Sequence, residues 1–343
     1  MEKSLHAQRK NEHVFIAEKQ YQAKSQNGLD QIRLISQNLP ELSLNEINLE
    51  TKFLNTTIPV PFFINAMTGG SQHTTVINEK LALCALQNDI PMATGSLSVA
   101  LKENSPVGFD TLRKVNPTGF VLGNLGAGHD LHNAIKAINL IQADALEIHL
   151  NASQELVMPE GDREFHWLAN LQNIVENSPV PILVKEVGFG MTPRGLDVLK
   201  AANVKYVDLA GAGGTSFVSI ENERRERKEL AFLNELQLST AESLIAAQPY
   251  QADFSLTASG GIRSALDIVK CLVLGADNVG ISGLFLHTLL ESDEAGLNQL
   301  IADLTMQIKQ IMLLLGCKSI AELREVPYIL SPELLNFQKQ IQK

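Results

Sequence analysis

The chain has 343 residues, of which 45% are hydrophobic, and its formal net charge is −10. This length suits one large α/β barrel or two average domains. The acidic balance argues against sequence-independent binding of nucleic acid, which needs a basic surface. The polar first residues lack the apolar core of a secretion signal, and no apolar run of about 20 residues predicts a membrane span. We therefore expect a cytoplasmic protein.

Short apolar runs alternate with amphipathic segments along the chain. The predicted strands are residues 61–67, 91–95, 119–123, 145–150, 181–186, 206–210, 254–259 and 278–282. The predicted helices between them are residues 74–88, 130–142, 164–177, 193–202, 240–247 and 264–274. Continuous apolar strands that alternate with helices indicate a parallel sheet buried on both faces. Eight such units predict a TIM (β/α)8 barrel that forms a single domain over residues 1–343.

A doubly wound open sheet is the competing architecture. It would carry a glycine-rich dinucleotide turn after its first strand, and the segment Met67-Thr68-Gly69-Gly70 does not have that spacing. Three regions lie outside the repeat: an N-terminal substrate-binding extension (residues 1–55), a lid-like loop (212–238) and extra helices from Leu284 onward. Long loops at the carboxyl ends of barrel strands usually bind substrate or act as lids.

The three cysteines are predicted to be small core residues. Cys84, Cys271 and Cys317 are scattered, lie in apolar surroundings and form no C-x-x-C pair. Neither a zinc site nor a disulfide framework is therefore expected.

Glycine-rich turns follow the last two predicted strands, at residues 259–263 and 280–283. Each turn opens a helix, so its backbone N–H groups and the helix dipole favour a phosphate. We call these two turns the phosphate cup. A barrel with such a cup commonly holds FMN or a phosphorylated substrate. The alternative is that the glycines only form tight turns.

Lys185 ends the apolar fifth strand, so its ammonium is expected in the mouth of the barrel. There it would face the anionic edge of a flavin or form a Schiff base. The alternative is an ion pair with Glu186 or another carboxylate.

A compact polar group follows the fourth strand and consists of His149, Asn151, Gln154 and Glu155. A lone carboxylate is a poor protein-only metal site, but it suits Mg²⁺, which keeps waters and borrows phosphate oxygens. A hydrogen-bonded turn remains the alternative for this group. Near the N-terminus, Arg9, Lys10 and His13 would on their own be ordinary solvated surface.

Further motifs run through nearly the whole chain: Arg9-Lys10-x-x-His13, Ala66-Met67-Thr68-Gly69-Gly70, His149-Leu150-Asn151-x-x-Gln154-Glu155, Pro159-Glu160-Gly161-Asp162-Arg163, Val184-Lys185-Glu186-Val187-Gly188-Phe189-Gly190-Met191 and Gly213-Gly214-Thr215-Ser216-Phe217. In combination they resemble the type 2 isopentenyl-diphosphate isomerase family, FMN-dependent barrels related to flavin hydroxy-acid oxidases. The resemblance implies isomerisation of isopentenyl diphosphate to dimethylallyl diphosphate. It also implies FMN in its reduced form, Mg²⁺, NADPH as reductant and a homotetramer or homo-octamer.

The resemblance also implies roles for individual residues. FMN contacts are implied for Ala66, Met67, Thr68, Ser96, Asn124, Lys185, Thr215, Gly261, Ile262, Arg263, Ser282 and Gly283. Substrate contacts are implied for Arg9, Lys10, His13 and Gln154, and the predicted catalytic group is His149, Asn151, Gln154, Lys185 and Glu221. Glu155 is the implied Mg²⁺ ligand.

Three positions depart from the family pattern. Many relatives carry Gln-Arg at Leu97-Ser98 and Trp-Gly at Leu236-Gln237, and some carry serine at Ala210. One arginine contact would then be missing or replaced.

Two other functions compete with this one. A 2-hydroxy-acid oxidase or dehydrogenase needs a catalytic His and Arg pair, and residues 259–263 contain no histidine. A silent flavin- or phosphate-binding protein would not need Lys185, Gln154 and Glu155 together.

Overall fold

The computed structural model describes residues 5–102, 108–109 and 111–341, so the first four residues of the predicted extension lie outside it. The strands are β1 (Ile32–Leu34), β2 (Thr51–Phe53), β3 (Thr56–Ile58), β4 (Phe62–Ile64), β5 (Met92–Ala93), β6 (Val121–Gly126), β7 (Ala145–Leu150), β8 (Ile182–Glu186), β9 (Tyr206–Asp208), β10 (Ser255–Ser259), β11 (Asn278–Ile281) and β12 (Tyr328–Leu330). The α-helices are α1 (Leu5–Lys19), α2 (Gln72–Gln87), α3 (Ser98–Lys102), α4 (Thr111–Val115), α5 (Leu131–Ile141), α6 (Ala152–Val157), α7 (Leu168–Asn177), α8 (Pro193–Ala201), α9 (Phe217–Arg224), α10 (Thr240–Ala247), α11 (Ala265–Val273), α12 (Gly283–Leu315) and α13 (Pro332–Ile341).

Strands β4 to β11 close a parallel barrel. Each pairs with the next along the chain, and β11 pairs with β4. Every predicted strand overlaps one of these eight, which confirms the TIM (β/α)8 prediction within the described residues. The first two strands are shorter than predicted, because residues such as Ala66 and Gly95 leave the ladder and line a cavity.

Side chains alternate along the strands and divide the barrel interior into two layers. The layer toward the amino ends is apolar and contains Phe63, Leu122, Ala145 and Leu183. Two residues further along the same strands, the buried positions are polar: Asn65, Asn124, Glu147 and Lys185. The opposite faces of these strands, such as Leu146 and Ile148, pack under the helices in the main core.

The β2–β3 hairpin closes the amino end of the barrel. Phe53 is 0% exposed and lies in one cluster with the apolar layer. Its ring centroid is 4.8 Å from that of Phe63 and 5.6 Å from that of Phe120. The amino end is therefore filled by aromatic side chains.

The helices around the barrel begin at side-chain caps that the sequence supplies. Asp130 accepts a hydrogen bond from the backbone N–H of Asn133, and Ser264 accepts one from Asp267. Such caps contribute about 1 kcal/mol each. No helix of the described ranges is long and apolar enough to cross a membrane.

The regions outside the repeat are folded onto the barrel. Strand β1 pairs antiparallel with β12, a contact that the sequence did not predict. The predicted lid-like loop contains helix α9 and a 3-10 helix (Ala231–Leu236). Helix α12 is bent at Asp293, where φ is 56°. The three cysteines are buried and free, as predicted.

Candidate active site

A cavity of ≈ 530 Å³ opens at the carboxyl ends of the barrel strands. Nineteen predicted site residues line it: Arg9, Lys10, His13, Ala66, Met67, Thr68, Ser96, Asn124, His149, Asn151, Gln154, Glu155, Lys185, Thr215, Gly261, Ile262, Arg263, Ser282 and Gly283. Glu221 lies behind this wall and contacts His13 and Gln154. The structure thus brings all the predicted site residues together. The carboxyl-end rule for barrels accounts for those at the strand ends, and the family resemblance had implied Arg9, Lys10 and His13 of α1.

Helix α1 contributes two cations to the cavity, Arg9 and Lys10, which we call the α1 cation pair. Arg9 Nη1 lies 3.4 Å from a carboxylate oxygen of Glu160, while its Nε is buried without a partner. Burial and the nearby Arg9 lower the pKa of Lys10 to about 8. In the described part of the chain, Lys10 has no ion-pair partner. Two such cations in one wall favour an anionic ligand.

A buried carboxylate joins α1 to the predicted lid. His13 Nε2 lies 3.0 Å from Glu221 Oε1, and Gln154 Nε2 donates to the same oxygen at 3.1 Å. Arg224 Nη1 donates to Glu221 Oε2 at 2.6 Å. Burial works to raise the pKa of Glu221, but its contacts with His13, Arg224 and Gln154 outweigh it and lower that pKa to about 2. Glu221 is therefore ionised at neutral pH.

Glu155 lies on α6, which begins directly after β7, and its group keeps the local hydrogen bonds considered from the sequence. Its Oε1 accepts from Asn151 Nδ2 at 3.0 Å and its Oε2 from the backbone N–H of Asp162 at 3.0 Å. Arg163 donates to four backbone carbonyls and so fixes the loop that supplies this N–H.

No group of three or more metal-ligating side chains occurs among the described residues. Glu155 alone therefore fits Mg²⁺ only if a ligand supplies further oxygens, because each carboxylate oxygen still has a lone pair to offer.

His149 is held by its neighbour on β6. Its Nδ1 lies 2.8 Å from Asn124 Oδ1, and Asn124 Nδ2 donates to Glu147 Oε2 at 2.7 Å. Burial, followed by the charges of Lys185, Lys10 and His129, lowers the pKa of His149 to about 3. His149 is therefore a neutral imidazole at pH 7.

Lys185 donates to the backbone carbonyl of Glu186 at 2.9 Å, not to its carboxylate. That carboxylate accepts instead from the backbone N–H groups of Val187 and Phe189. Burial nevertheless raises the pKa of Glu186 to about 7. The ammonium of Lys185 thus remains available to the cavity, which it lines at 6% exposure.

The phosphate cup fits a phosphate mainly at its second turn. A Cβ on Gly283 would meet nothing nearer than Thr215 Oγ1 at 3.7 Å and Arg263 Nη1 at 3.9 Å. The backbone N–H of Gly283 finds no acceptor among the described residues, and neither does that of Ile262 in the first turn. Open space and an unpaired donor at the start of α12, with Arg263 of the first turn beside them, suit an anionic phosphate.

The first turn of the phosphate cup has glycines for a different reason. A Cβ on Gly261 would lie 2.2 Å from Ser25 Oγ, and one on Gly260 would lie 1.9 Å from Gly211 O. These glycines permit tight packing between loops, the alternative considered from the sequence. Thr68 Oγ1 is buried in the cavity wall and has no hydrogen-bond partner among the described residues. A buried polar atom of this kind suits a hydrogen bond to a ligand such as a flavin ring.

Two of the departures from the family pattern, Ser98 and Ala210, line the cavity. Ser98 Oγ lies 2.9 Å from His129 Nε2, and Lys102, one turn later, lines the cavity. Lys102 thus offers a cation on the helix where many relatives have arginine. Leu236 is 68% exposed, and Ala210 lines the cavity with a φ of 38°.

Comparison with known proteins decides the family. The chain is 48% identical over 335 residues to isopentenyl-diphosphate delta-isomerase of Latilactobacillus sakei, covering 97% of this chain and 96% of that one. The corresponding protein of Listeria innocua is 46% identical, with 96% and 93% covered. This chain belongs to the isopentenyl-diphosphate delta-isomerase family. The predictions of the family and of an isomerase enzyme are confirmed.

A family model described as FMN-dependent dehydrogenase matches residues 124–329 and supports FMN as the cofactor. A flavocytochrome b2 mutant with benzoylformate superposes with a TM-score of 0.68 at 17% identity, over 95% of this chain and 80% of that one. A mandelate oxidase mutant with an FMN adduct gives 0.64 at 15%, over 93% and 92%. At such low identity these structures support the barrel fold alone.

Some residues at the site were not singled out from the sequence. Glu147 and Asp208 are both 0% exposed, and each lies inside an apolar strand, where a charged residue is itself a signal. Arg163 stood in a quoted motif without an assigned role, and Arg224 gave no such signal, because their roles depend on loops that meet only in the folded chain.

Proposed function

We propose that this protein isomerises isopentenyl diphosphate to dimethylallyl diphosphate, with FMN in its reduced form and Mg²⁺. One observation carries the proposal: the α1 cation pair and Glu155 line the same cavity as the phosphate cup. A cavity with two separate anion sites suits a phosphate-bearing cofactor together with a second, diphosphate ligand. The names of the relatives point to the same substrate.

In this proposal the α1 cation pair binds the diphosphate. Charge-assisted hydrogen bonds from Arg9 and Lys10 are among the stronger polar interactions. Glu155 would hold Mg²⁺ together with oxygens of the diphosphate. Because these contacts are remote from the reacting carbons, their binding energy positions the hydrocarbon tail within the site.

The reaction moves a proton between carbons of an unactivated alkene, which is barely basic. Reduced FMN, when bound, supplies a proton carrier and negative charge opposite the developing cation. The ammonium of Lys185 lines the cavity and would balance that negative charge. Glu221 is ionised and accepts a hydrogen bond from Gln154. The negative charge of Glu221 and the amide dipole of Gln154 would therefore keep fixed positions beside the substrate. Glu155 is assigned to the metal and not to proton transfer.

Several features remain part of the proposal. The reaction has no net redox change, so it needs reduced flavin only in catalytic amount. We propose NADPH as the reductant that supplies this reduced flavin. We also propose a cytoplasmic location and a homotetramer or homo-octamer.

The test is anaerobic conversion of isopentenyl diphosphate by the protein with reduced FMN and Mg²⁺, with oxidised FMN as the control. Gln154→Ala and Glu155→Gln are each expected to lower kcat/KM by about 10–100-fold or more, because the first removes a proposed substrate contact and the second the proposed Mg²⁺ ligand. Glu164→Gln is the matched control, because Glu164 is exposed and does not line the cavity.

Wild-type rates in both site variants would show the assignment of α6 to be wrong. Turnover of lactate in place of isomerisation would instead make the chain a 2-hydroxy-acid oxidase. A folded preparation that binds no FMN at any concentration would remove the basis of the proposal.

A further inference from the structure

A buried carboxylate next to the active site has no part in the proposed chemistry. Glu147 is 0% exposed and does not line the cavity. It lies two residues before His149 on β7, so both side chains point into the barrel. Burial of a carboxylate is costly, so its retention beneath the site calls for an explanation.

Glu147 is linked to His149 through one amide. Asn124 Nδ2 donates to Glu147 Oε2 at 2.7 Å, and Asn124 Oδ1 lies 2.8 Å from His149 Nδ1. The pairing of Asn124 with Glu147 across β6 and β7 fixes the backbone beneath these contacts. The three side chains therefore form a continuous relay.

The direction of this relay follows from the carboxylate. An ionised carboxylate only accepts hydrogen bonds, so the amide of Asn124 must turn its NH₂ toward Glu147. Its oxygen then faces His149, and that oxygen also only accepts. His149 Nδ1 must therefore be the donor and carry the ring proton. Without Glu147, the amide could turn over and the ring proton could move to Nε2.

We propose that Glu147 is a positioning residue that acts through Asn124 to hold the ring proton of His149 on Nδ1 and leave Nε2 to the cavity. His149 Nε2 makes no hydrogen bond to any described residue, which agrees with this arrangement. Only the role of His149 in the reaction rests on the proposed function. The relay itself is a property of the protein without any ligand.

The surrounding charges are consistent with a neutral ring. Lys185, Lys10 and His129 face His149 and disfavour a second proton on it. Glu147 itself takes up a proton below about pH 7, because burial raises its pKa to about 7. That proton can occupy Oε1, which has no hydrogen-bond partner in the described ranges, so Oε2 still accepts from Asn124 and the relay persists.

The chain offers a matched control in Asp208. This carboxylate is also 0% exposed in the polar layer, and it accepts from Asn65 Nδ2 at 2.7 Å and Ser259 Oγ at 2.7 Å. Its contacts do not include Asn124 or His149. Changing Asp208 removes a buried carboxyl that raises the pKa of Glu147, but it breaks no hydrogen bond of the relay.

The experiment measures ring ¹⁵N chemical shifts of histidine-labelled protein without FMN, because the two nitrogens of a neutral ring resonate in separate ranges. The His149 signal is assigned by its loss in His149→Gln. Wild-type protein and Asp208→Asn are expected to carry the proton on Nδ1. Glu147→Gln keeps an acceptor oxygen and should retain this form, whereas Glu147→Leu should shift the ratio roughly tenfold toward Nε2–H.

Asn124→Ala breaks the relay in its middle and should give the same shift, so the proposal remains testable if Glu147→Leu does not fold. Nε2–H in the wild-type protein, or unchanged Nδ1–H in a variant that breaks the relay, would overturn it. A protein with the expected tautomer but no isomerase activity would refute the proposed function and leave the relay intact.

Discussion

The two ends of the barrel are built from the same strands and differ in almost every physical respect. At the amino end, Phe63 and Leu183 pack under Phe53 in an apolar cluster. Two residues further along those strands, Asn65 and Lys185 belong to a buried polar layer. A step of two residues thus separates a part of the barrel that stabilises the fold from a part that serves the ligands.

The polar layer contains a group that lowers the stability of the protein. Burial raises the pKa of Glu147 to about 7, which means that the folded state disfavours its charged form. The apolar end has no such charges and contributes through burial and close packing. Three changes would break or sharpen this contrast.

The largest effect on stability is expected from Phe53→Ala, which removes the aromatic side chain that closes the amino end. Loss of a fully buried phenylalanine typically lowers the free energy of unfolding by about 3–5 kcal/mol. Urea denaturation measures this loss, and FMN affinity of the folded variant should be unchanged. Leu39→Ala is the control, because Leu39 is 79% exposed and its loss should change stability by less than about 0.5 kcal/mol. Weakened FMN binding in folded Phe53→Ala would mean that the two ends are coupled.

At the polar end, Glu147→Gln is expected to stabilise the protein in a pH-dependent way. Burial raises the pKa of Glu147 from 4.5 to about 7, a change that corresponds to about 3 kcal/mol. Below pH 4.5 the carboxyl is protonated in both states, so the variant should gain little. Above about pH 7 the wild type holds a buried charge, so the gain should be complete. Unfolding curves of both proteins between pH 4 and pH 8 test this, and a gain that is constant over this range would contradict it.

The smallest effect in energy is expected from Lys10→Met at the mouth of the cavity. Loss of a charge-assisted hydrogen bond costs about 1.5–3 kcal/mol of binding, or roughly 10–100-fold in the Kd for inorganic pyrophosphate. Stability should not fall, because burial already disfavours this cation. Calorimetric titration gives the Kd, and Lys136→Met is the control, because Lys136 is an exposed residue of α5. An equal increase in the Kd for pyrophosphate in both variants would mean that the total charge of the protein, and not a defined site, determines binding.

The sequence was sufficient to predict the barrel and the gathering of strand-end residues at one mouth, whereas Arg9, Lys10 and His13 were placed there only by the family resemblance. Each barrel strand is buried on both faces and therefore appears as an apolar run. The carboxyl-end rule then placed Lys185 and Glu155 at one mouth, where the structure has them. Helix α6 was missed because its polar residues, including Gln154, face the cavity and give no amphipathic pattern.

Other features could not be predicted, for physical reasons. Strands β1 and β12 have three residues each, too few for alternation to show, and each exists only because the other is present. The relay from Glu147 to His149 depends on the pairing of β6 with β7, which the sequence of either strand does not specify. The two turns of the phosphate cup also have glycines for different reasons, crowding in the first turn and open space in the second. A glycine in a sequence does not show which of these reasons applies.

The pairing of β1 with β12 has a consequence for the order of folding. Ile32 pairs with Leu330, so the extension cannot dock until the chain beyond the barrel has formed. Contacts between such distant segments close long loops and tend to form late. The first turn of the phosphate cup packs against Ser25 of the same extension, so it too is expected to reach its final packing only after this docking. A newly made chain would then gain its flavin site and its second anion site in the same late step.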